Sequence, residues 1–189
     1  MIELDDITLK EYFELEDKEA YDFAIKYSKE LYNSPIDIFN AGDFTEMEFG
    51  LIKDLQYDFE NGLTWMKLLE YISQISGKDI KQIVQFRLLS ICRFKNYLTD
   101  EIKRINEIEI KLLGHDPSPE EVQAGISEFN KFGSYGQIRK LAMDDVTKIK
   151  EVKKIKYSTC LMELYYQKTA NEFQEAYYNI KYPKPNSQR

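Results

Sequence analysis

From Ile80 to Leu113 the chain runs for thirty-four residues without a glycine or a proline. As one continuous or once-broken helix this stretch would reach about 50 Å at 1.5 Å per residue. Within it Ile91, Phe94, Leu98, Glu101, Ile105, Ile108 and Leu112 recur at alternating steps of three and four, a helical seam interrupted only at Glu101, where Ile102 can stand in. Such a seam must pack against other helices, because a lone amphipathic helix gains little stability from propensity alone. Asp79 is placed to cap its start, and Gly114-His115-Asp116-Pro117 closes it.

The rest of the chain is punctuated as a series of shorter helices. Only 8 Gly and 5 Pro occur in 189 residues, too few for a strand-and-turn architecture, while 43% of the residues are hydrophobic, enough to form a core. Thr8 with Glu11, Thr45 with Glu48 and Ser118 with Glu121 have the spacing of capping boxes, in which hydroxyl and carboxylate satisfy exposed backbone donors. The first predicts a helix over about 9–15. Asp17 caps a second, running to about Asn33 with Ala20, Phe23, Ala24, Tyr27 and Leu31 on one face; a packed loop from Ser34 to Phe44 turns Ile36, Ile38 and Phe39 inward. The box at Thr45 opens a third helix with Phe49, Ile52, Leu55, Gln56 and Phe59 on its inner face, ended by Asn61-Gly62. Thr64 starts a fourth, whose stripe is Trp65, Leu68, Leu69, Ile72 and Ile75; Trp65 reads as core rather than as a binding hot spot.

After Ser118-Pro119 a helix is expected through Val122, Ile126 and Phe129. Gly133 and Gly136 interrupt a weaker segment, Asp144 or Asp145 opens a short basic helix, and Ser158 caps a final helix with Leu161, Leu164, Tyr165, Phe173, Tyr177 and Ile180 repeating before Pro183. Residues 183–189 read as a flexible tail, and no internal repeat is apparent. The expected fold is all-α: an irregular bundle of about seven to eight helices around one long central helix, forming a single helical domain over 1–182 with an acidic part at 1–60 and the central and C-terminal helices at 64–182.

Charge is unevenly spread. The net is −7, but residues 1–60 hold 17 acids against 5 bases, net −12, and residues 61–189 hold 16 acids against 21 bases, net +5. Such polarity can orient an association. Met1 is followed by Glu3, Asp5 and Asp6 rather than by a basic and then apolar segment, and no stretch suits a membrane span, so a cytoplasmic protein without membrane contact is expected. Cys92 and Cys160 sit in apolar helical patterns and read as buried free thiols.

Little here carries catalytic chemistry. The one histidine, His115, lies in an exposed turn, and phosphate-binding glycine loops are missing. Asp100, Glu101, Glu107 and Glu109 could gather a cation, but the paired Glu-x-x-His ligands of di-metal bundles are lacking, so neither a metal nor another cofactor is expected, and the chain reads as no enzyme. Lys148, Lys150, Lys153, Lys154 and Lys156 form the strongest basic patch, with Tyr157 beside it for stacking; Ile149, Val152 and Ile155 between them make the same lysines the solvated side of a short amphipathic helix.

Lys156-Tyr157-Ser158-Thr159-Cys160-Leu161-Met162-Glu163-Leu164, followed by Lys168 and Glu172-Phe173-Gln174-Glu175, resembles the closing segment of small helical proteins of tailed-bacteriophage morphogenesis, nearest to tail assembly chaperones. Lys156 stands where those proteins commonly carry proline, and Leu9-Lys10-Glu11-Tyr12-Phe13 adds a general likeness near the start. The resemblance implies a non-enzymatic protein of the host-cell cytoplasm or the virion that binds another phage protein, a tail or particle component, as a chaperone or a helical structural adaptor. The lysine cluster with Tyr165, Tyr166 and Tyr177 forms the candidate contact, and self-association is compatible with the charge polarity. The alternative is a helical nucleic-acid-associated regulator or inhibitor using 148–156, which the acidic total disfavours.

Overall fold

The computed structural model describes residues 4–27 and 38–182. The fold is all-α. In chain order the α-helices are α1 (Leu9–Glu14), α2 (Glu19–Tyr27), α3 (Phe49–Asn61), α4 (Trp65–Ser76), α5 (Ile80–Ile83), α6 (Leu88–Leu113), α7 (Pro119–Gln123), α8 (Tyr135–Leu141), α9 (Ile149–Lys153) and α10 (Tyr157–Lys181). Short 3-10 segments occupy Phe44–Glu46, Ile126–Phe132 and Val146–Lys148. The expected continuation of the second helix to Asn33, the turn at Ser34-Pro35, inward-facing Ile36 and the tail 183–189 lie outside the described residues.

The chain divides into two compact units: Met1–Phe44 with Asp54–Ile105, and Thr45–Lys53 with Asn106–Arg189. In the first unit Thr8 caps α1 in a complete capping box, Thr64 caps α4 through the Lys67 N–H, and Gly77 ends α4 at φ 67°, a left-handed conformation that favours glycine. The expected helix over 80–113 is broken once, between Ile83 and Leu88. Ile91, Phe94, Leu98 and Ile105 of the seam are buried, and Ile102 takes the place of Glu101, whose carboxylate accepts from Arg104 Nη2 at 2.7 Å. Phe39 packs against Phe94 (4.8 Å between ring centroids) and Phe86 (5.1 Å). In α2 the inward face is not the expected one. Tyr21, Ala24 and Ile25 are half-buried while Phe23 and Tyr27 face solvent, because the Tyr12 hydroxyl, donating to Asp22 Oδ1 at 2.5 Å, fixes which side of α2 meets α1.

The second unit has a core of Phe49, Ile52, Ile138, Val152, Tyr157, Cys160, Leu161 and Leu164. Two expected helix starts move. Thr45 lies in a 3-10 turn, and α3 begins four residues later; Ser158 does not cap α10, which starts at Tyr157. One cause accounts for both. The Glu46 carboxylate accepts from Lys156 Nζ at 2.7 Å and from the Ser158 hydroxyl at 3.3 Å, while the Phe49 N–H donates to the Ile155 carbonyl at 2.7 Å and the Tyr157 N–H to that of Met47 at 2.8 Å. Backbone pairing between distant segments fixes both starts in place of a local cap.

The same staple recurs in the first unit. There Leu9 N–H donates to Phe86 O and Leu88 N–H to Ile7 O, each at 2.9 Å, so the isolated bridge Thr8–Arg87 matches Glu48–Lys156. Arg87 Nη1 donates to the backbone carbonyl of Asp6, two residues before its bridge partner, and Lys156 Nζ donates to the side-chain carboxylate of Glu46, two residues before Glu48. Each staple follows a short helix: Ile80-Lys81-Gln82-Ile83 ahead of Phe86-Arg87-Leu88, and Ile149-Lys150-Glu151-Val152 ahead of Ile155-Lys156-Tyr157. Where no repeat was apparent in the sequence, a repeated supersecondary motif is present; backbone bonds and apolar positions define it, not residue identity.

Gly50 permits the close approach within the second staple. A Cβ at Gly50 would stand 2.7 Å from Lys153 Cβ, below any real contact. Gly50→Ala is therefore expected to destabilise the protein by about 1–3 kcal/mol in urea unfolding, overpacking outweighing the gain in helix propensity; unchanged stability would mean that α3 and α9 are not in contact here.

Candidate protein-binding surface

The basic segment is built by the second staple. Asp145 caps the 3-10 turn Val146–Lys148 through the Thr147 N–H at 2.9 Å and pairs with Lys148 Nζ at 3.5 Å. Lys148, Lys150, Lys154 and Lys156 are exposed. Lys153 is half-buried against Gly50, and Lys156 is engaged with Glu46. Tyr157, expected beside the lysines for stacking, is fully buried: its ring stacks on Phe49 and its hydroxyl donates to Glu109 Oε1 at 2.5 Å. That correction removes the aromatic platform that single-strand binding would need from this patch. Tyr165, Tyr166 and Tyr177 are exposed along α10, apart from the lysines in sequence and on a different element.

The four acids considered as cation ligands are dispersed. Asp100 pairs with Lys103 and Glu101 with Arg104; Glu107 is exposed; Glu109 pairs with the buried Lys53. Among the described residues no group of three or more His, Cys, Asp or Glu is placed to hold a metal ion. His115 is exposed, its Nε2 lying 2.9 Å from Glu121 Oε2. The Ser118 backbone N–H, and then His115, hold the Glu121 carboxyl below its ordinary value. Burial pushes the thiols of Cys92 and Cys160 up, to about 12 and about 11, which leaves both as inert core groups at neutral pH. Among the described residues no helix is long and apolar enough to cross a membrane.

A different surface stands out. The helix opened by Ser118 stops at Gln123, and Gly125 (φ 84°) and Gly133 (φ 49°) bracket the 3-10 segment Ile126–Phe132. In a 3-10 helix residues three apart eclipse, so Ile126, Phe129 and Phe132 line up on one edge. Phe129 and Phe132 lie 6.4 Å apart and, with Val122, face solvent, on a 3-10 segment where a helix continuing through Val122, Ile126 and Phe129 was expected. With Tyr135, Gln137 and Arg139 the two phenylalanines border an open groove of about 640 Å³. The step of three between two glycines is the signal in the sequence that marks this edge. No family model, curated protein or solved structure matches the chain in comparison with known proteins.

Proposed function

We propose that the chain is a non-enzymatic helical interaction protein of bacteriophage morphogenesis that holds another phage protein, as a tail assembly chaperone or a helical structural adaptor of the particle. The observation that carries the protein-binding part is the groove at 126–139. Large aromatic side chains set between two positive-φ glycines form an apolar patch, bordered by Arg139, of the kind that marks protein-contact sites on soluble surfaces. An amphipathic helix of the client, laying its apolar side into the groove, suits it. The phage setting rests on the resemblance of 156–175 to the morphogenesis proteins. The nucleic-acid alternative has the exposed lysines but not the stacking ring, which lies in the core.

The test is co-expression with the products of neighbouring genes, followed by affinity purification and mass spectrometry. A specific protein should remain bound to the wild type, and Phe129→Asp with Phe132→Asp should weaken its retention at least roughly tenfold with the helical circular dichroism intact. Equal retention by the variant, or recovery of nucleic acid without a protein, would refute the reading.

A further inference from the structure

α10 is apolar on two opposite sides. Tyr157, Cys160, Leu161 and Leu164 are buried in the core of the second unit. At about 100° per residue, the side of α10 opposite to them carries Met162, Tyr166, Phe173, Tyr177 and Ile180, at steps of four, seven, four and three. These five are 64%, 67%, 69%, 49% and 82% exposed. From Asn171 to Tyr182 the chain is exposed on every side. An isolated helical segment of about twelve residues is marginal in water, and a helix apolar on both faces is normally covered on both.

We infer that the outer stripe of α10 is a homodimer interface, covered by α10 of a second copy running antiparallel about a two-fold axis near Asn171. This goes beyond the client-binding groove and does not use it. The stripe is self-complementary in that arrangement: Met162 lies level with Ile180 of the second copy, Tyr166 with Ala176 beside Tyr177, and Thr169 with Phe173. Its charges select the direction. Glu163 and Lys181 lie on the same flank of the stripe at opposite ends, so antiparallel pairing brings each Glu163 to Lys181 of the second copy, offset by two residues or about 3 Å along the axis. The pair forms twice, as an isologous contact requires. In-register parallel pairing would instead set Glu163 level with Glu163 and Lys181 level with Lys181. Aromatic side chains bring about 150–250 Å² each, so five large exposed side chains offer on the order of 600 Å² per copy, close to the ~800 Å² per partner of a standard interface.

The test is sedimentation equilibrium of the full chain over a range of concentrations. The wild type should dimerise. Phe173→Asp, at an exposed position that leaves the core untouched, should weaken the dimer at least roughly thirtyfold with unchanged helical circular dichroism. Glu163→Lys alone and Lys181→Glu alone should each weaken it, and the two together should restore it, a rescue that parallel pairing would not give. A wild type that stays monomeric, a dimer that survives Phe173→Asp, or a double swap that fails to rescue would overturn the inference. Because Phe129 and Phe132 take no part, the groove variant should dimerise normally, so failure here and failure of client binding are told apart.

Discussion

Glu109→Ala should destabilise the protein by about 3–5 kcal/mol, because it breaks a buried ion pair from one side. The Lys53 side chain is only 3% exposed, and its ammonium lies 2.5 Å from Glu109 Oε1. The same oxygen accepts the Tyr157 hydroxyl at 2.5 Å, and the ammonium stands 5.4 Å from the Phe49 ring centroid and 5.9 Å from that of Tyr157. Removing the carboxylate takes away an ion-pair partner of a cation set between two aromatic rings and an acceptor of a buried hydroxyl. Glu109→Gln keeps an acceptor and should cost less. Lys53→Met combined with Glu109→Leu, which removes both charges, should be near neutral or stabilising, since a buried pair recovers little more than its own desolvation cost. Urea unfolding of the four proteins checks the order. A loss under about 1 kcal/mol for Glu109→Ala would place the pair in water, where such pairs contribute that little.

Ile105→Asp should have a still larger effect. Ile105 is fully buried in α6, so the substitution forfeits about 1.5–3 kcal/mol of apolar burial and forces a carboxylate to ionise in, or be protonated within, an apolar site. A total above about 5 kcal/mol is of the order of a typical domain's whole margin, and the variant should be at least partly unfolded at room temperature. Ile110→Asp is the matched control on the same helix. Ile110 is 73% exposed, and its change should stay within about 0.5 kcal/mol. Circular dichroism melting of the two variants separates a buried seam from a general dislike of aspartate in α6; equal melting would refute the burial.

The caps at Thr8, Thr64, Asp79 and Ser118 were legible because a cap is a contract among residues at most three apart, and each side chain is bound to its own helix start. The box at Thr45 obeyed the same spacing and failed. The Phe49 N–H pairs with the Ile155 carbonyl and the Tyr157 N–H with that of Met47, partners more than a hundred residues apart, and no local pattern encodes that pairing. Lys53 was illegible for a related reason. A lysine within an amphipathic stretch reads as solvated, and Glu109 and the Tyr157 ring, brought to it by the fold, are among the groups that make its burial tolerable. Of the candidate contact residues, the sequence placed Tyr165, Tyr166 and Tyr177 correctly at the surface but credited Tyr157 to the basic patch, because a helix start one residue earlier than the expected cap rotates that ring inward.

Periodicity and the scarcity of glycine and proline determined by themselves that this chain is all-α, that 80–113 holds its longest helix, and which side of that helix is apolar. These are properties of neighbours along the chain, set by dihedral preference and the 3.6-residue turn. Only the tertiary structure decided where α3 and α10 begin, that a lysine lies in the core, that Ile126–Phe132 winds as a 3-10 edge with its phenylalanines outward, and that α10 keeps a second apolar side uncovered. Each of these is settled by a contact between segments far apart in sequence or by the lack of one, and free energies of that kind depend on geometry the linear order does not carry.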